Sequence, residues 1–215
     1  GGVFANELLD NLPFRIVERT VEGWDEILVG LGPGGDLAEV RVRADDWLAH
    51  EVEDVVGSVP VGSRLPAQVG IDPWLRSCAA VLQRGFVVLV DYAASFEELA
   101  RRQQQGWLRT YRAHERGTDP LQATGSQDIT ADVAREWLVR AAQRAGLQLV
   151  AEQSQAAWLG SLDLDALLDQ ARATWRERAH VGDLEALEAR SAASEAEALT
   201  DPQGLGAHSV FILRR

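Results

Sequence analysis

Two acidic segments stand directly after apolar runs, and they are the first places where this sequence could do chemistry. The segment Asn6–Asp10 follows the apolar run Val3–Ala5, and Asp91–Tyr92 follows the fully apolar run Phe86–Val90. In open α/β sheets, ligands bind at the carboxyl ends of the strands. A single strand-end aspartate is also typical of a helix cap, but two acidic segments in such positions predict a shared pocket.

A third polar segment, Trp107–Gly117, is dense in arginine and aromatic residues and shows little core periodicity. It contains Arg109, Tyr111 and His114, which could line a pocket, although a solvated loop explains the same composition. A metal site is not predicted, because no second histidine or cysteine stands at ligand spacing. The four histidines are scattered, and no Ser-His-Asp set can be assembled from their positions.

The glycine-rich segment Gly32–Asp36 has the composition of a phosphate-binding loop. Such a loop needs a strand before it and a helix after it. The residues that follow, Leu37–Arg43, alternate apolar and polar side chains and contain β-branched valines. We therefore predict a hairpin turn, not a nucleotide loop.

The elements that position these residues alternate helices with apolar strands, which predicts an α/β fold. The predicted strands cover 3–5, 14–21, 25–31, 37–43, 86–90, 147–151 and 209–213, and those between 14 and 43 form a small antiparallel meander. The predicted helices cover 45–56, 73–83, 96–105, 131–145 and 162–198. Loops are predicted over 60–66 and 107–129, and Thr130 is the predicted N-cap of the helix that follows it.

Charge and composition exclude several classes of function. The 215 residues include 33 acidic and 21 basic side chains, all of the latter arginine, for a net charge of −12. This charge excludes general nucleic-acid binding, which needs a basic face, and it suits a cationic or arginine-bearing partner. No apolar run approaches the roughly 20 residues that a membrane span needs. The single cysteine, Cys78, excludes an internal disulfide and predicts a reducing, cytoplasmic compartment.

At this point the motifs match a known family. Residues 4–13, Phe-Ala-Asn-Glu-Leu-Leu-Asp-Asn-Leu-Pro, resemble the A-N-E-[FL]-[FL]-D-x-L-P segment of the MidA-like methyltransferases. Further resemblances follow in the same order as far as about residue 160: Trp24–Glu26 with W-x-E, Asp91–Tyr92 with D-Y-G, Leu108–His114 with T-L-R-x-Y…H, Asp119–Leu121 and Gly125–Thr130 with D-P-L…G-x-x-D-[IL]-T, and Gln153–Leu159 with T-Q-x-x-F-L. Each motif is weak alone, and their collinear order makes the resemblance specific.

The resemblance implies an S-adenosylmethionine-dependent enzyme. This chain would be the C-terminal part of its Rossmann-like class I methyltransferase sheet, with an inserted antiparallel β-meander and extra helices. Val3–Ala5 would end the fourth strand and Phe86–Val90 would be the fifth. The strands at 147–151 and 209–213 would be the last two, the final one antiparallel. The predicted domains are a core over 1–160 with the meander inserted at about 14–43, a helical segment over 161–200, and a terminal strand of the core sheet over 201–215.

Departures from the family limit what carries over. D-Y-G reads Asp91-Tyr92-Ala93, and the segment Asp128–Ala134 lacks the histidine of D-[IL]-T-x-H-V-D, so the role of that histidine is not transferred. The family's glycine-rich cofactor loop stands upstream of the A-N-E segment. Since the chain begins at Gly1 and has no methionine, we expect a longer bacterial protein, and no strong cofactor binding by this part alone. The free edge of the strand at Val3–Ala5 would need cover from further residues or from a second copy in a homodimer.

The resemblance also implies roles for the candidate site residues. Glu7 and Asp10 would orient the guanidinium of an arginine substrate, since carboxylates bind this planar fork bidentately. Helix capping is the alternative for Asp10 and Asp128, and an ion pair with Asp128 or Asp91 is the alternative for Arg109. The predicted cofactor contacts are Asn6 and Asp91. The predicted substrate contacts are Asn11, Tyr92, Arg109, Tyr111, His114 and Asp128.

The predicted function is methylation of arginine on a protein partner, such as a respiratory-complex subunit, with S-adenosylmethionine as the methyl donor. A catalytically silent assembly or scaffold protein that binds a partner in the same cleft is one alternative. A small-molecule methyltransferase is the other, and a closed cavity in place of an open groove would favour it.

Overall fold

The computed structural model describes residues 1–113, 115–117 and 119–215. Its strands, in chain order, are β1 (Gly2–Asn6), β2 (Arg15–Thr20), β3 (Gly23–Leu31), β4 (Leu37–Arg43), β5 (Arg64–Ala67), β6 (Phe86–Asp91), β7 (Ala93–Ala94), β8 (Leu108–Arg112), β9 (Glu115–Gly117), β10 (Asp128–Ala131), β11 (Val133–Ala134), β12 (Gln148–Ser154) and β13 (Ser209–Arg214). Its helices are α1 (Asp46–Val56), α2 (Ile71–Val81), α3 (Phe96–Arg102), α4 (Gln104–Trp107), α5 (Arg135–Arg144), α6 (Gln155–Gly160), α7 (Leu164–Arg178) and α8 (Leu184–Thr200), with 3-10 turns at Leu9–Asn11 and Leu205–Ala207.

The central sheet has the strand order β1-β6-β13-β12. β1 runs parallel to β6, and β13 is antiparallel to both of its neighbours. This arrangement confirms the predicted α/β fold and the antiparallel last strand. Because β13 enters the sheet in the opposite direction, its first residue, Ser209, pairs with Asp91 at the carboxyl end of β6. The ends of β1 and β6 and the beginning of β13 therefore meet at one edge of the sheet.

The first hydrophobic core lies between this sheet and helices α2 and α5. Val87 and Leu89 alternate along β6 and are fully buried, and they belong to the same core as Leu75 of α2 and Leu138 of α5. Each such side chain contributes roughly 1.5–3 kcal/mol on burial. Cys78 is buried in this core as well. The packing of α2 and α5 on one face therefore holds the strand ends in place.

A second, antiparallel sheet has the order β4-β3-β2-β5 and contains the predicted meander. The hairpin between β3 and β4 is confirmed, with Leu31 paired to Leu37. The loop predicted over 60–66 is wrong from Arg64 onward, because that part belongs to β5. β5 pairs with β2 and places Leu65 opposite Val17. Both of these side chains are buried in a second core. A four-residue strand is too short to show periodicity, so its pairing is decided by burial against distant residues.

The segment predicted as a loop over 107–129 also contains strands. β8 is the middle strand of a small antiparallel sheet with the order β10-β8-β9. Thr130 is therefore a strand residue that pairs with Arg109, and the prediction that it caps a helix is wrong. α5 begins only at Arg135, because residues 128–134 are extended and pair with β8 and β7.

The helical segment predicted over 162–198 consists of two helices, α7 and α8, which pack against each other as a hairpin. The chain reverses at Gly182, whose φ of 64° is left-handed backbone that glycine adopts without strain. Arg178 forms an ion pair with Asp183, the N-cap of α8. In the described ranges, no helix combines the length and the apolar character that a membrane crossing requires.

Candidate functional site

The candidate site lies where β1 and β6 end and β13 begins. The main chain turns sharply after β1, because Glu7 has φ 46°, a left-handed conformation that costs a non-glycine residue about 1–2 kcal/mol. The N–H of Glu7 donates to the carbonyl oxygen of Val90 at 2.9 Å, which extends the β1–β6 pairing by one residue. Asn6 and Glu7 are both exposed. The strained turn therefore leaves two polar side chains at the rim of the sheet.

The carboxylate of Asp91 ties this turn to the end of β6. Its Oδ2 accepts the main-chain N–H groups of Leu9 at 2.8 Å and of Asp10 at 3.3 Å, and its Oδ1 accepts the N–H of Tyr92 at 2.9 Å. Asp91 is 1% exposed. Burial, together with the negative charge of Asp10, raises the pKa of Asp91 to about 7. Asp91 thus organises the site through the main chain, while its contact with a cofactor stays a prediction.

Glu7 and Asp10 form an acidic pair. Asp10 is buried, and Nδ2 of Asn11 donates to its Oδ1 at 2.6 Å. Burial raises the pKa of Asp10, and the charge of Glu7 raises it further. The 3-10 turn that contains Asp10 has no side-chain cap bond, so capping does not account for this carboxyl group. A cation bound beside both carboxylates would favour their charged forms.

The Tyr92 ring is held by two neighbours. Cζ of Arg109 lies 4.8 Å from the ring centre, which is a cation–π contact. The ring of His208 meets it edge-on, with centroids 4.0 Å apart and an angle of 72° between the planes. Burial raises the pKa of Tyr92, and the charge of Glu7 raises it further. Tyr92 therefore stands in the site as a neutral phenol at pH 7.

Arg109 is paired with Asp132. Nη1 of Arg109 lies 2.6 Å from Oδ1 of Asp132, and Nη1 of Arg102 lies 2.9 Å from the other oxygen. The alternative prediction that Arg109 forms an ion pair is confirmed, but the predicted partner is wrong. The partner is Asp132, and not Asp128 or Asp91. Since the Arg109 charge is offset by Asp132, the rim of the site keeps its acidic character.

Replacing Asp132 with asparagine is expected to lower the free energy of unfolding by about 3 kcal/mol, because two arginines lose a carboxylate that is only 3% exposed. Chemical denaturation at pH 7 measures the change. Asp128→Asn is the matched control, because Asp128 is exposed on the neighbouring strand β10, and it should alter stability by less than about 0.5 kcal/mol. Equal losses in the two variants would contradict the buried ion pair.

The remaining predicted wall residues lie on β8 and β10. In the antiparallel pairing of β8 with β10, Tyr111 lies opposite Asp128. β10 also packs against the turn Leu9–Asn11. Tyr111 is close enough to act on the ionisation of Tyr92. His114 lies outside the described residues. Within the part of the chain that the structure covers, no cluster of His, Cys, Asp and Glu could hold a metal ion.

His208 belongs to this site and was missed from the sequence. It stands one position before β13 and is 3% exposed. Because β13 is antiparallel to β6, its beginning lies beside the end of β6, next to Tyr92. A lone histidine offers no spacing pattern. The expected antiparallel direction of the last strand could have identified it, because that direction places the residue before the strand beside the end of β6.

A separate cleft of about 940 Å³ lies beside β8, with Glu39, Arg64 and Thr110 in its lining. Thr110 borders this cleft, whereas its neighbour Arg109 lies over Tyr92. Successive side chains of a strand point to opposite faces, so β8 separates the cleft from the strand-end site. This cleft is therefore distinct from the strand-end site, and the shared pocket expected around Glu7 and Asp91 stays a prediction.

Comparison with known proteins places these features in a family. Residues 1–152 match a family model described as “Putative S-adenosyl-L-methionine-dependent methyltransferase”. Two solved structures, both from Burkholderia thailandensis, are similar over 100% of this chain. One is a crystal structure of a methyl transferase candidate bound to S-adenosyl-homocysteine, with 25% identity and a TM-score of 0.82. The other, an uncharacterized protein of the same superfamily in its native crystal form, has 26% identity and a TM-score of 0.81.

The extent of these matches differs between the chains. This chain spans about half the length of the two Burkholderia thailandensis proteins, 53% and 55% respectively. No curated protein matches it.

Proposed function

This chain belongs to the family of S-adenosyl-L-methionine-dependent methyltransferases, and on that premise we propose that the complete protein methylates an arginine side chain of a protein partner. The cofactor of the family is S-adenosyl-L-methionine, and one of the similar Burkholderia thailandensis proteins is bound to its demethylated form. The observation that carries the proposal is the acidic pair Glu7–Asp10 at the carboxyl edge of the central sheet.

The residues at this edge suit the cofactor. S-adenosyl-L-methionine, when bound, supplies a methyl group on a positively charged sulfur, and an acidic rim attracts such a cation. Asn6 is exposed at the end of β1, so its amide is free to bind the polar parts of the cofactor. The carboxylate of Asp91 already accepts three main-chain N–H groups. Its contribution to cofactor binding is therefore to hold the turn in position.

The acidic pair suits a guanidinium substrate. Asp10 is buried and its pKa is raised by burial and by the charge of Glu7, so a cation that neutralises both groups is favoured. A guanidinium presents several N–H donors in one plane, and two carboxylates can bind it and fix its direction. Methyl transfer needs this kind of positioning, because the accepting nitrogen must approach the methyl carbon in line.

The surroundings favour a protein-borne arginine over a free cation. The rim residues Asn6, Glu7 and Asn11 are exposed, so Glu7 faces solvent, while Asp10 is buried beside it. A side chain that projects from a protein surface can reach such a rim. The net charge of −12 also favours association with a basic partner.

The test uses the full-length protein, labelled S-adenosyl-L-methionine and two matched peptides, Gly-Gly-Arg-Gly-Gly and Gly-Gly-Lys-Gly-Gly. We expect label on the arginine peptide only, because a compact ammonium does not match the two carboxylates as a planar fork does. Mass spectrometry of the product locates the methyl group.

Three results would contradict the proposal. Label on both peptides alike would remove the preference for a guanidinium. Label on neither peptide, nor on any arginine-rich protein supplied in their place, would favour a scaffold that binds a partner in the same site. Label on a small molecule alone would favour a small-molecule methyltransferase.

A further inference from the structure

His208 is an unexpected residue to find in this place. It is 3% exposed, and neither Nδ1 nor Nε2 has a hydrogen-bond partner among the described residues. A buried polar group without a partner costs about 1–3 kcal/mol. A phenylalanine would fill similar space beside Tyr92 without that cost. A residue that destabilises the fold in this way is typical of a functional site.

The imidazole is neutral at physiological pH. Burial lowers the pKa of His208, the charge of Arg109 lowers it too, and the charge of Glu7 acts in the opposite direction. These two charged groups act on the ring from β8 and from the end of β1, and Tyr92 is its ionisable neighbour at the end of β6. From α6, Gln155 binds only the main-chain oxygen of His208, through its own N–H. One ring nitrogen therefore carries a lone pair that is free to accept a proton.

We propose that His208 is a catalytic residue, and that it accepts the proton that the substrate nitrogen loses when it is methylated. This inference rests on the proposed methylation of arginine. The nitrogen lone pair forms a bond to the methyl carbon as the carbon–sulfur bond breaks, and the electron pair of that bond remains on sulfur. The nitrogen then carries one proton too many, and this proton passes to the free ring nitrogen of His208 and on to solvent.

Tyr92 forms the cover of this proton acceptor. The side chain of Tyr92 packs edge-on against the imidazole, and Tyr92 itself is 36% exposed. Because both ring nitrogens are buried, the proposal requires the Tyr92 side chain to move before the guanidinium can reach them. Burial keeps His208 unprotonated, because it lowers the pKa of the ring by more than the charge of Glu7 raises it.

The test compares His208→Phe with the wild type in the full-length protein. Phenylalanine keeps an aromatic edge against Tyr92 but has no proton acceptor. We expect kcat for the arginine peptide to fall at least about 100-fold, the range of general-base catalysis. The midpoint of chemical unfolding should rise, because the unpartnered nitrogens are gone. The ring NMR signal of His208 in the wild type should shift when the arginine peptide is added and not when the lysine peptide is added.

Loss of activity with a gain in stability would support the proton acceptor, since replacing a residue that only packs would raise stability and leave kcat unchanged. A variant that keeps kcat within about 3-fold of the wild type, or that unfolds more easily, would overturn the role of His208 and leave arginine methylation standing. A wild-type protein that methylates no arginine peptide would overturn the proposed function, and this inference with it. A ring signal that ignores bound arginine peptide would count against His208 alone.

Discussion

At pH 4, Asp91→Ala is expected to destabilise the protein by about 4 kcal/mol, because three main-chain N–H groups lose the carboxyl oxygens that accept them. Two of these donors, in Leu9 and Asp10, belong to the turn that carries the acidic pair. The loss should therefore also disorder the site, and methyl transfer should fall with it. Chemical denaturation measures the stability, and the exchange rates of the Leu9 and Asp10 amide hydrogens measure the order of the turn.

Asp91→Asn is the matched variant, since the one side-chain oxygen of asparagine can still accept hydrogen bonds from some of the three N–H groups. A loss of about half the alanine value is expected at pH 4, where the Asp91 carboxyl group is uncharged in the folded protein. Equal stability of Asp91→Ala and the wild type would show that water replaces the carboxylate, and would contradict the role assigned to it.

The same carboxyl group makes stability depend on pH. The pKa of Asp91 is raised from 3.8 to about 7 in the folded protein, so the folded state keeps a proton that the unfolded state releases. Stability from this group is fully present below pH 4 and is lost as the pH rises through 7, by an amount on the order of 4 kcal/mol. The difference in unfolding free energy between wild type and Asp91→Asn, measured from pH 4 to pH 8, should show this loss. A difference that stays constant across that range would contradict it.

Glu7→Gln is expected to lower kcat/KM for the arginine peptide by about 100-fold, which corresponds to about 2.7 kcal/mol of transition-state stabilisation. Glutamine has the same shape and keeps one acceptor, but it removes the charge that would neutralise the guanidinium. The substitution should leave the free energy of unfolding within about 0.5 kcal/mol of the wild type, because Glu7 is exposed.

Glu22→Gln serves as the control, since Glu22 is also an exposed carboxylate but lies between β2 and β3, away from the strand ends. It should leave kcat/KM unchanged. If the two variants lose activity equally, the effect comes from net charge and not from the acidic pair. If neither loses activity, Glu7 does not bind the substrate.

The left-handed conformation of Glu7 offers a further check on folding. Asparagine adopts this conformation more readily than glutamate does. Glu7→Asn should therefore be at least as stable as Glu7→Gln while it lacks the carboxylate as well. Activity lost in a variant of undiminished stability would separate the role of the charge from that of the turn. A marked loss of stability in Glu7→Asn would instead assign Glu7 a structural role.

The sequence by itself determined the long apolar strands of the central sheet, the meander and the position of the first acidic residues. Apolar runs such as Phe86–Val90 predict buried strands, and strand ends predict where Asn6, Glu7 and Asp91 lie, because both are local patterns. Strand-end chemistry could be predicted for the same reason, since parallel strands present their carboxyl ends at one edge. The glycine-rich turn residues Gly32–Asp36 likewise predict the hairpin between two strands.

Only the tertiary structure decided which side chains meet. The bond from Leu9 to Asp91 joins residues 82 positions apart, and the partner of Arg109 proved to be Asp132 and not the two aspartates that were expected. His208 lies in the site because β13 is antiparallel to β6. The segment β5 is a strand because it pairs with β2. Such contacts depend on how elements pack over long separations, and no local periodicity encodes them. The sequence therefore located the edge where we propose that chemistry takes place, and the packing of the sheet determined which residues lie together there.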